Sequence, residues 1–245
     1  DYLASLSADV DDPDSVTSHP HPRTQFFVDG TESLLTKNDS PDIPFTVGLN
    51  PYRGCEHGCA YCFARPYHEY LGWSSGLDFE TKIMVKTRAP ELLRAELSSP
   101  RWEPQSIAMS GITDCYQPAE RHFRVTRGCL EVCAEFRQPI SIVTKNALVT
   151  RDRDLLAELA RHQATAVYVS ITTLDTDLAG KLEPRASRPA ARLRAIGWRT
   201  VTALCVDCDA SALGCTHRSE RRQVFAEAKL EAVDDARARD DVDRK

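Results

Sequence analysis

The 245-residue sequence has no excess of positive charge: 31 Lys and Arg stand against 36 Asp and Glu, a formal charge of -5, and the isoelectric point is near 5.8. Net acidity excludes a protein that coats polyanions through its overall field and leaves only local basic patches for that purpose. No uninterrupted apolar run approaches the roughly 20 residues of a membrane-spanning helix, and the N-terminal stretch lacks a basic start followed by an apolar segment. These absences predict a soluble, unexported, cytoplasmic protein with no membrane partner. No internal repeat is visible either, which excludes a solenoid. The remaining composition, 42% apolar and 27% charged, is ordinary for a globular chain.

Cysteine is what the sequence has in quantity. Nine of them, an odd count without a secretion signal, argue against a full disulfide framework and for metal binding or buried thiols. Their placement separates the two. Cys55, Cys59 and Cys62 fall together, Cys115 stands alone, Cys129 and Cys133 form a pair, and Cys205, Cys208 and Cys215 lie near the end.

Residues 1–44 are rich in Asp, Pro, Ser and Thr, with Phe26, Phe27 and Val28 as one short apolar run, and read as an acidic, mostly irregular leader. From residue 45 to 196, short apolar runs alternate with helical periodicity, the pattern of strand-helix units and a parallel sheet. Strands are expected at 45–49, 82–85, 106–109, 140–144 and 166–172, with another at 200–206. Helices are expected after Pro90 and over 125–136, 152–162 and 189–196. Val125, Cys129, Val132, Cys133 and Phe136 keep one buried helical face, which makes Cys129 and Cys133 core residues. Asp152 is the expected N-cap of its helix. Residues 197–245 read as an atypical charged tail holding a single strand and a helix.

The cysteine loop Asn50-Pro51-Tyr52-Arg53-Gly54-Cys55-Glu56-His57-Gly58-Cys59-Ala60-Tyr61-Cys62 follows the first strand of this core directly. Strand-helix folds place their chemistry at that end. Three thiolates at spacings of four and three positions can wrap one face of a soft-metal cluster, with Gly54 and Gly58 allowing a tight path. Structural zinc wants four closed ligands. His57 is the local candidate for a fourth, and its ring would have to fold back onto the metal.

The string NPYRGCEHGCAYCFARP, with NDSPDIPF before it and SGITDCYQPAE, VTKN, SITTLD and LEPRAS after it, resembles the spore photolyase-like branch of the radical S-adenosylmethionine (SAM) enzymes. The resemblance implies a partial barrel of mostly parallel strands, usually six, which this sequence leaves incomplete at its C-terminal end. It further implies a 4Fe-4S cluster on Cys55, Cys59 and Cys62, and SAM bound at the iron that lacks a protein ligand. Reductive cleavage of SAM would then give a 5'-deoxyadenosyl radical for hydrogen abstraction, in that branch for repair of a DNA lesion. By the same resemblance Ser110 and Gly111 meet the amino group of SAM, Tyr61 its adenine, and Lys145 and Ser170 its carboxylate and ribose. Cys115 lies near the position of a hydrogen-donor cysteine. An electron donor such as flavodoxin or ferredoxin is the implied partner.

Other readings stay open at this level. A shortened barrel allows a catalytically impaired iron-sulfur protein. Cys205, Cys208, Cys215 and His217 offer four soft ligands for zinc in a nucleic-acid module. Arg121, Arg124 and Arg127 are either one wall of a nucleic-acid groove or a solvated helix face. Glu183 and Arg185 carry either a site role or a structural ion pair.

Overall fold

Among the described residues, apolar and β-branched side chains bunch between turn signals into ten short strands. The computed structural model describes residues 23–43 and 45–196, with the backbone of 201–205 and 224–225. In chain order the strands are β1 (Gln25–Val28), β2 (Leu35–Lys37), β3 (Val47–Leu49), β4 (Tyr52–Arg53), β5 (Lys82–Val85), β6 (Ile107–Met109), β7 (Ile140–Thr144), β8 (Thr165–Ile171), β9 (Val201–Cys205) and β10 (Val224–Phe225). The larger sheet has the order β10-β9-β8-β7-β6-β3-β2. Its five inner strands, β9 to β3, pair in parallel, and β2 and β10 close its two edges in antiparallel pairing. Parallel pairing puts the C-terminal ends of β3, β6, β7 and β8 in one row.

The helices are α1 (Asp78–Thr81), α2 (Ala89–Leu97), α3 (Glu120–Phe123), α4 (Val125–Phe136), α5 (Arg153–Arg161), α6 (Thr176–Leu182) and α7 (Pro189–Ile196), with 3₁₀ helices at Arg65–Leu71 and Ala147–Asp152. Pro90 sits in the first turn of α2, where its missing N–H costs nothing. The expected face of α4 is buried at Val125, Cys129, Val132 and Cys133. These side chains join Leu93 and Leu97 of α2, Leu156 and Leu159 of α5, and Ile107, Met109, Ile142, Val167 and Val169 of the sheet in one hydrophobic core.

The sequence expectations need four corrections. First, strand 82–85 is absent from the large sheet. As β5 it is the middle of a separate three-stranded sheet, parallel to β1 and antiparallel to β4. Among the described residues the parallel part of the larger sheet therefore has five strands. Second, the leader is not irregular throughout, because Phe26 enters the core on β1 and β2 pairs with β3. Third, Phe136, expected on the buried face of α4, is 38% exposed at the end of that helix, whereas the strand expected at 200–206 is present as β9, parallel to β8. Fourth, Asp152 does not cap α5 with its side chain. Its carboxylate instead accepts from Arg127, Arg151 and Tyr116, because a fully buried charge is stabilised more by cations than by one helix N–H. Among the described residues no helix is long and apolar enough to cross a membrane.

Cys129 tests the core assignment. With its side chain buried in α4, Cys129→Ala is expected to lower unfolding free energy by about 1 kcal/mol or somewhat more, read as an earlier denaturant midpoint with an unchanged slope. An unchanged midpoint would place Cys129 outside the packed core.

Candidate functional site

The cysteine loop leaves β4 and is fixed by backbone bonds at separate points: Cys55 N–H donates to Phe79 O at 2.8 Å, and Ala60 N–H to Leu182 O at 2.9 Å. Gly54 and Gly58 take φ of +79° and +63°. A Cβ at Gly54 would meet Phe79 O at 2.9 Å, and one at Gly58 would run into the Glu80 carboxylate, so both turns need glycine. From the far side Arg65 donates to Gly58 O at 3.1 Å and Cys59 O at 3.1 Å, and pairs with Glu80 at 2.9 Å.

All three loop cysteines are free; Cys55 and Cys59 are buried and Cys62 is partly exposed. Burial raises the Cys55 thiol well above its ordinary value. It pushes Cys59 up to about 12, with Lys145 pulling the other way. Such thiols stay protonated at neutral pH unless a cation meets them. The donor set is all sulfur, as an iron-sulfur cluster requires.

His57 does not join them. Its buried ring reaches Asp114 Oδ2 through Nδ1 at 3.3 Å and Asn146 Nδ2 through Nε2 at 3.3 Å. Asp114 also accepts from Thr144 Oγ1 at 2.7 Å and from Lys145 N–H at 2.7 Å. Burial alone would raise its carboxyl, but His57 and these donors hold it at about 2. Among the described residues no three His, Cys, Asp or Glu side chains converge on a single metal ion position.

The other expected residues sit along the same row of strand ends. Ser110 and Gly111 follow β6, Lys145 follows β7, and Ser170 is near the end of β8. Ser110 adopts φ of +72°, and its Oγ accepts from Cys115 N–H at 2.7 Å. Lys145 Nζ lies 5.9 Å from the centre of the Tyr61 ring. Tyr61 donates through its hydroxyl to Glu183 and lies 2.9 Å from Thr172 Oγ1. Ser170 O accepts from Arg192 at 3.0 Å, and Arg192 pairs with Glu183 at 2.6 Å. Tyr61, Lys145, Glu183 and Ser170 thus form one connected group, with Ser110 and Gly111 at the end of β6, the strand next to that of Lys145.

Cys115 is placed differently. It is fully buried in the hydrophobic core, and burial raises its thiol well above the ordinary value. Arg127 is committed to Asp152, Asp154 and Glu131. Arg185 pairs with Glu56 at 2.8 Å, the structural ion pair that was one of its two readings. Cys208, Cys215 and His217 lie outside the described residues, and Cys205 is described only as backbone of β9.

Sequence reasoning missed the part played by Asp114, Asn146, Arg65 and Arg192. Asp114 and Asn146 lie inside the strings SGITDCYQPAE and VTKN, so their signal was present but mute about contacts. Arg192 sits in a helix pattern that gives no sign of a buried guanidinium.

The fold is that of an α/β protein with a cysteine-bearing loop beside the C-terminal ends of its parallel strands. A sequence model of the radical SAM superfamily matches residues 49–199, more than half of the chain, and the chain belongs to that superfamily. The uncharacterized protein Rv2578c of Mycobacterium tuberculosis is 40% identical over 166 residues, 68% of this chain and 48% of the relative. The uncharacterized protein MJ0683 of Methanocaldococcus jannaschii is 30% identical over 151 residues, 60% of this chain and 52% of the relative. The chain spans about half the length of these curated relatives. Among solved structures, spore photoproduct lyase complexed with dinucleoside spore photoproduct overlays with a TM-score of 0.49 at 17% identity, covering 74% of this chain and 50% of that one.

Arg65 is the loop clamp to test. Arg65→Ala removes one donor each from the Gly58 and Cys59 carbonyls and the partner of Glu80, at an expected cost of about 1 to 3 kcal/mol, measured by denaturant unfolding against the parent chain. An unchanged midpoint would mean that the loop path is held by its backbone bonds alone.

Proposed function

We propose that this chain holds a 4Fe-4S cluster on Cys55, Cys59 and Cys62 and binds SAM beside it, the reduced cluster supplying the electron that cleaves SAM to a 5'-deoxyadenosyl radical for hydrogen abstraction from an organic substrate. What supports this reading above all is the placement of the three-thiol loop at the same strand ends as Ser110, Lys145 and Ser170, in a chain of the radical SAM superfamily. Three sulfur donors without a fourth suit a cluster with one iron left open, and the His57 ring is engaged elsewhere.

The chain's own groups then have distinct tasks. Lys145 neutralises the carboxylate of SAM, a role that suits a partly buried ammonium at a strand end. Ser110 and Gly111 offer backbone groups to the amino end. The Tyr61 ring, fixed by Glu183 and Thr172, gives the adenine side a flat apolar face, and Ser170 stands toward the ribose. The burial of Cys115 in the core supports a packing role for it over hydrogen transfer. The electron comes from a low-potential donor such as flavodoxin or ferredoxin, and the substrate is sought first among DNA lesions, the class implied by the resemblance.

Anaerobic reconstitution tests the cluster. The parent is expected to bind four irons per chain, with an EPR signal of the reduced state that changes on adding SAM, and single Cys55→Ala, Cys59→Ala and Cys62→Ala variants are expected to lose it. Full iron retention in all three would overturn the assignment.

Lys145 tests the orientation of SAM. At equal iron content, Lys145→Ala is expected to weaken SAM binding by roughly 10- to 150-fold, the equivalent of a charged contact worth about 1.5 to 3 kcal/mol. Equal affinity in the variant would remove Lys145 from the carboxylate.

A further inference from the structure

The groups that meet Asp114 decide how much charge its carboxylate keeps beside the thiol loop. Thr144 Oγ1 donates to Oδ1 at 2.7 Å and the Tyr116 N–H at 2.9 Å, while Oδ2 accepts from the Lys145 N–H at 2.7 Å and meets His57 Nδ1 at 3.3 Å. The hydroxyl and the two peptide groups are neutral donors. Among the described residues no Lys or Arg side chain pairs with Asp114, and the Lys145 ammonium lies against the Tyr61 ring instead. Only a proton on the second nitrogen of His57 could balance the charge.

The hydrogen bonds around Asn146 settle where the His57 proton sits. The Leu148 N–H and the Ser187 hydroxyl both donate to Asn146 Oδ1, each at 2.9 Å. The Asn146 side chain therefore turns its NH2 group toward His57 Nε2, at 3.3 Å. An amide NH2 donates and does not accept. Nε2 is thus an acceptor without hydrogen, and the single ring proton is on Nδ1, facing Asp114. Both His57 and Asn146 are buried, so no solvent takes the place of Asn146 at Nε2. His57 serves Asp114 as one more neutral donor, and the carboxylate keeps its full charge.

That charge acts on the candidate cluster ligands. Backbone N–H groups of Asp114 and His57 approach the Cys55 sulfur, and after burial the Asp114 charge is the strongest influence on that thiol. It reaches Cys59 as well, behind burial, Lys145 and Glu183. A fixed negative charge beside a redox group disfavours the state with one more electron, most of all where burial limits screening. We infer that Asp114 is a positioning residue whose charge, left unbalanced by His57, lowers the reduction potential of a cluster held on Cys55, Cys59 and Cys62. The inference rests on the cluster reading above and deepens it, because a lower potential makes the reduced state the strong electron donor that cleavage of SAM requires.

The test is a redox titration of the reconstituted full-length chain, followed by the EPR signal of the reduced cluster. Asp114→Asn and Asp114→Ser both remove the charge and keep the backbone N–H groups at Cys55. Whichever of them retains the iron content of the parent is expected to be reduced about tenfold more readily, an upward shift of about 59 mV for one electron. Thr144→Val takes a donor from the same carboxylate without altering its charge, and is expected to leave the potential near that of the parent; a merely structural tie would move all these variants alike. Long-range proton-nitrogen NMR spectra of the oxidised parent are expected to show a neutral His57 ring protonated at Nδ1. The inference is overturned if the charge-free variants are reduced at the parent's potential or a lower one, if Thr144→Val shifts as far as they do, or if His57 carries a proton on Nε2. It is also overturned if Asp114→Asn and Asp114→Ser both fail to bind iron, which would make the carboxylate a structural tie alone. Failure of the cluster reading shows separately, as a parent chain that binds no iron.

Discussion

The carboxylate of Asp114 joins loops that start from different strands, and the arrangement of the candidate site depends on it. One residue past the Thr113 turn of the β6 loop, it binds His57 of the cysteine loop, the Thr144 hydroxyl and the Lys145 N–H. Parallel pairing brings the ends of β3, β6 and β7 into a row, but a row of strand ends does not by itself hold the loops that leave them. A charged acceptor buried among several donors does, since leaving any of them unpaired there costs more than the same group would cost at the surface. The position of Lys145 relative to the thiol loop is therefore set by a contact made through its backbone, and its side chain stays available to reach Tyr61.

The same device recurs around the core. Glu56 meets Arg185, Glu120 and Asp152 meet Arg151, and Glu183 meets Arg192. Each of these carboxylates is buried. Desolvation of both partners cancels much of the attraction in such pairs, so their net contribution to stability is small compared with the penalty for removing one member. What they supply is discrimination among packings: α7 can seat on β8 only where Arg192 finds both Glu183 and Ser170 O. That fixes Glu183, and through it the ring of Tyr61.

How much of this was legible in the sequence follows from what periodicity encodes. The faces of α2, α4 and α5 were readable because burial there is a property of the helix alone, repeated at Val125, Cys129, Val132 and Cys133. The site row was readable because the resemblance named Ser110, Lys145 and Ser170 at strand ends. Strand 82–85 was readable as a strand but not as to its sheet. Its alternation is the same whether it pairs with β6 or with β1, and the choice rests on a partner more than fifty residues away. Asp152 shows the opposite error. The local rule that places Asp before a helix was sound, and it lost to Arg127 and Arg151, whose approach no local pattern announces.

The cysteine loop bears on how a cluster would be acquired. Small zinc modules owe their fold to the metal, because little else orders the ligands. Here the loop is tied to Phe79 O and Leu182 O by its backbone, clamped by Arg65, and turned by two glycines at positive φ, which strains any other residue. Much of the loop's path is thus set by bonds that do not involve the thiols. Burial, in contrast, raises the Cys55 and Cys59 thiols, and these two resist ionisation until a cation arrives. A loop with its path fixed and its charges withheld is one in which cluster binding adds the ligand bonds to an existing frame, and the binding energy is not first consumed in building that frame.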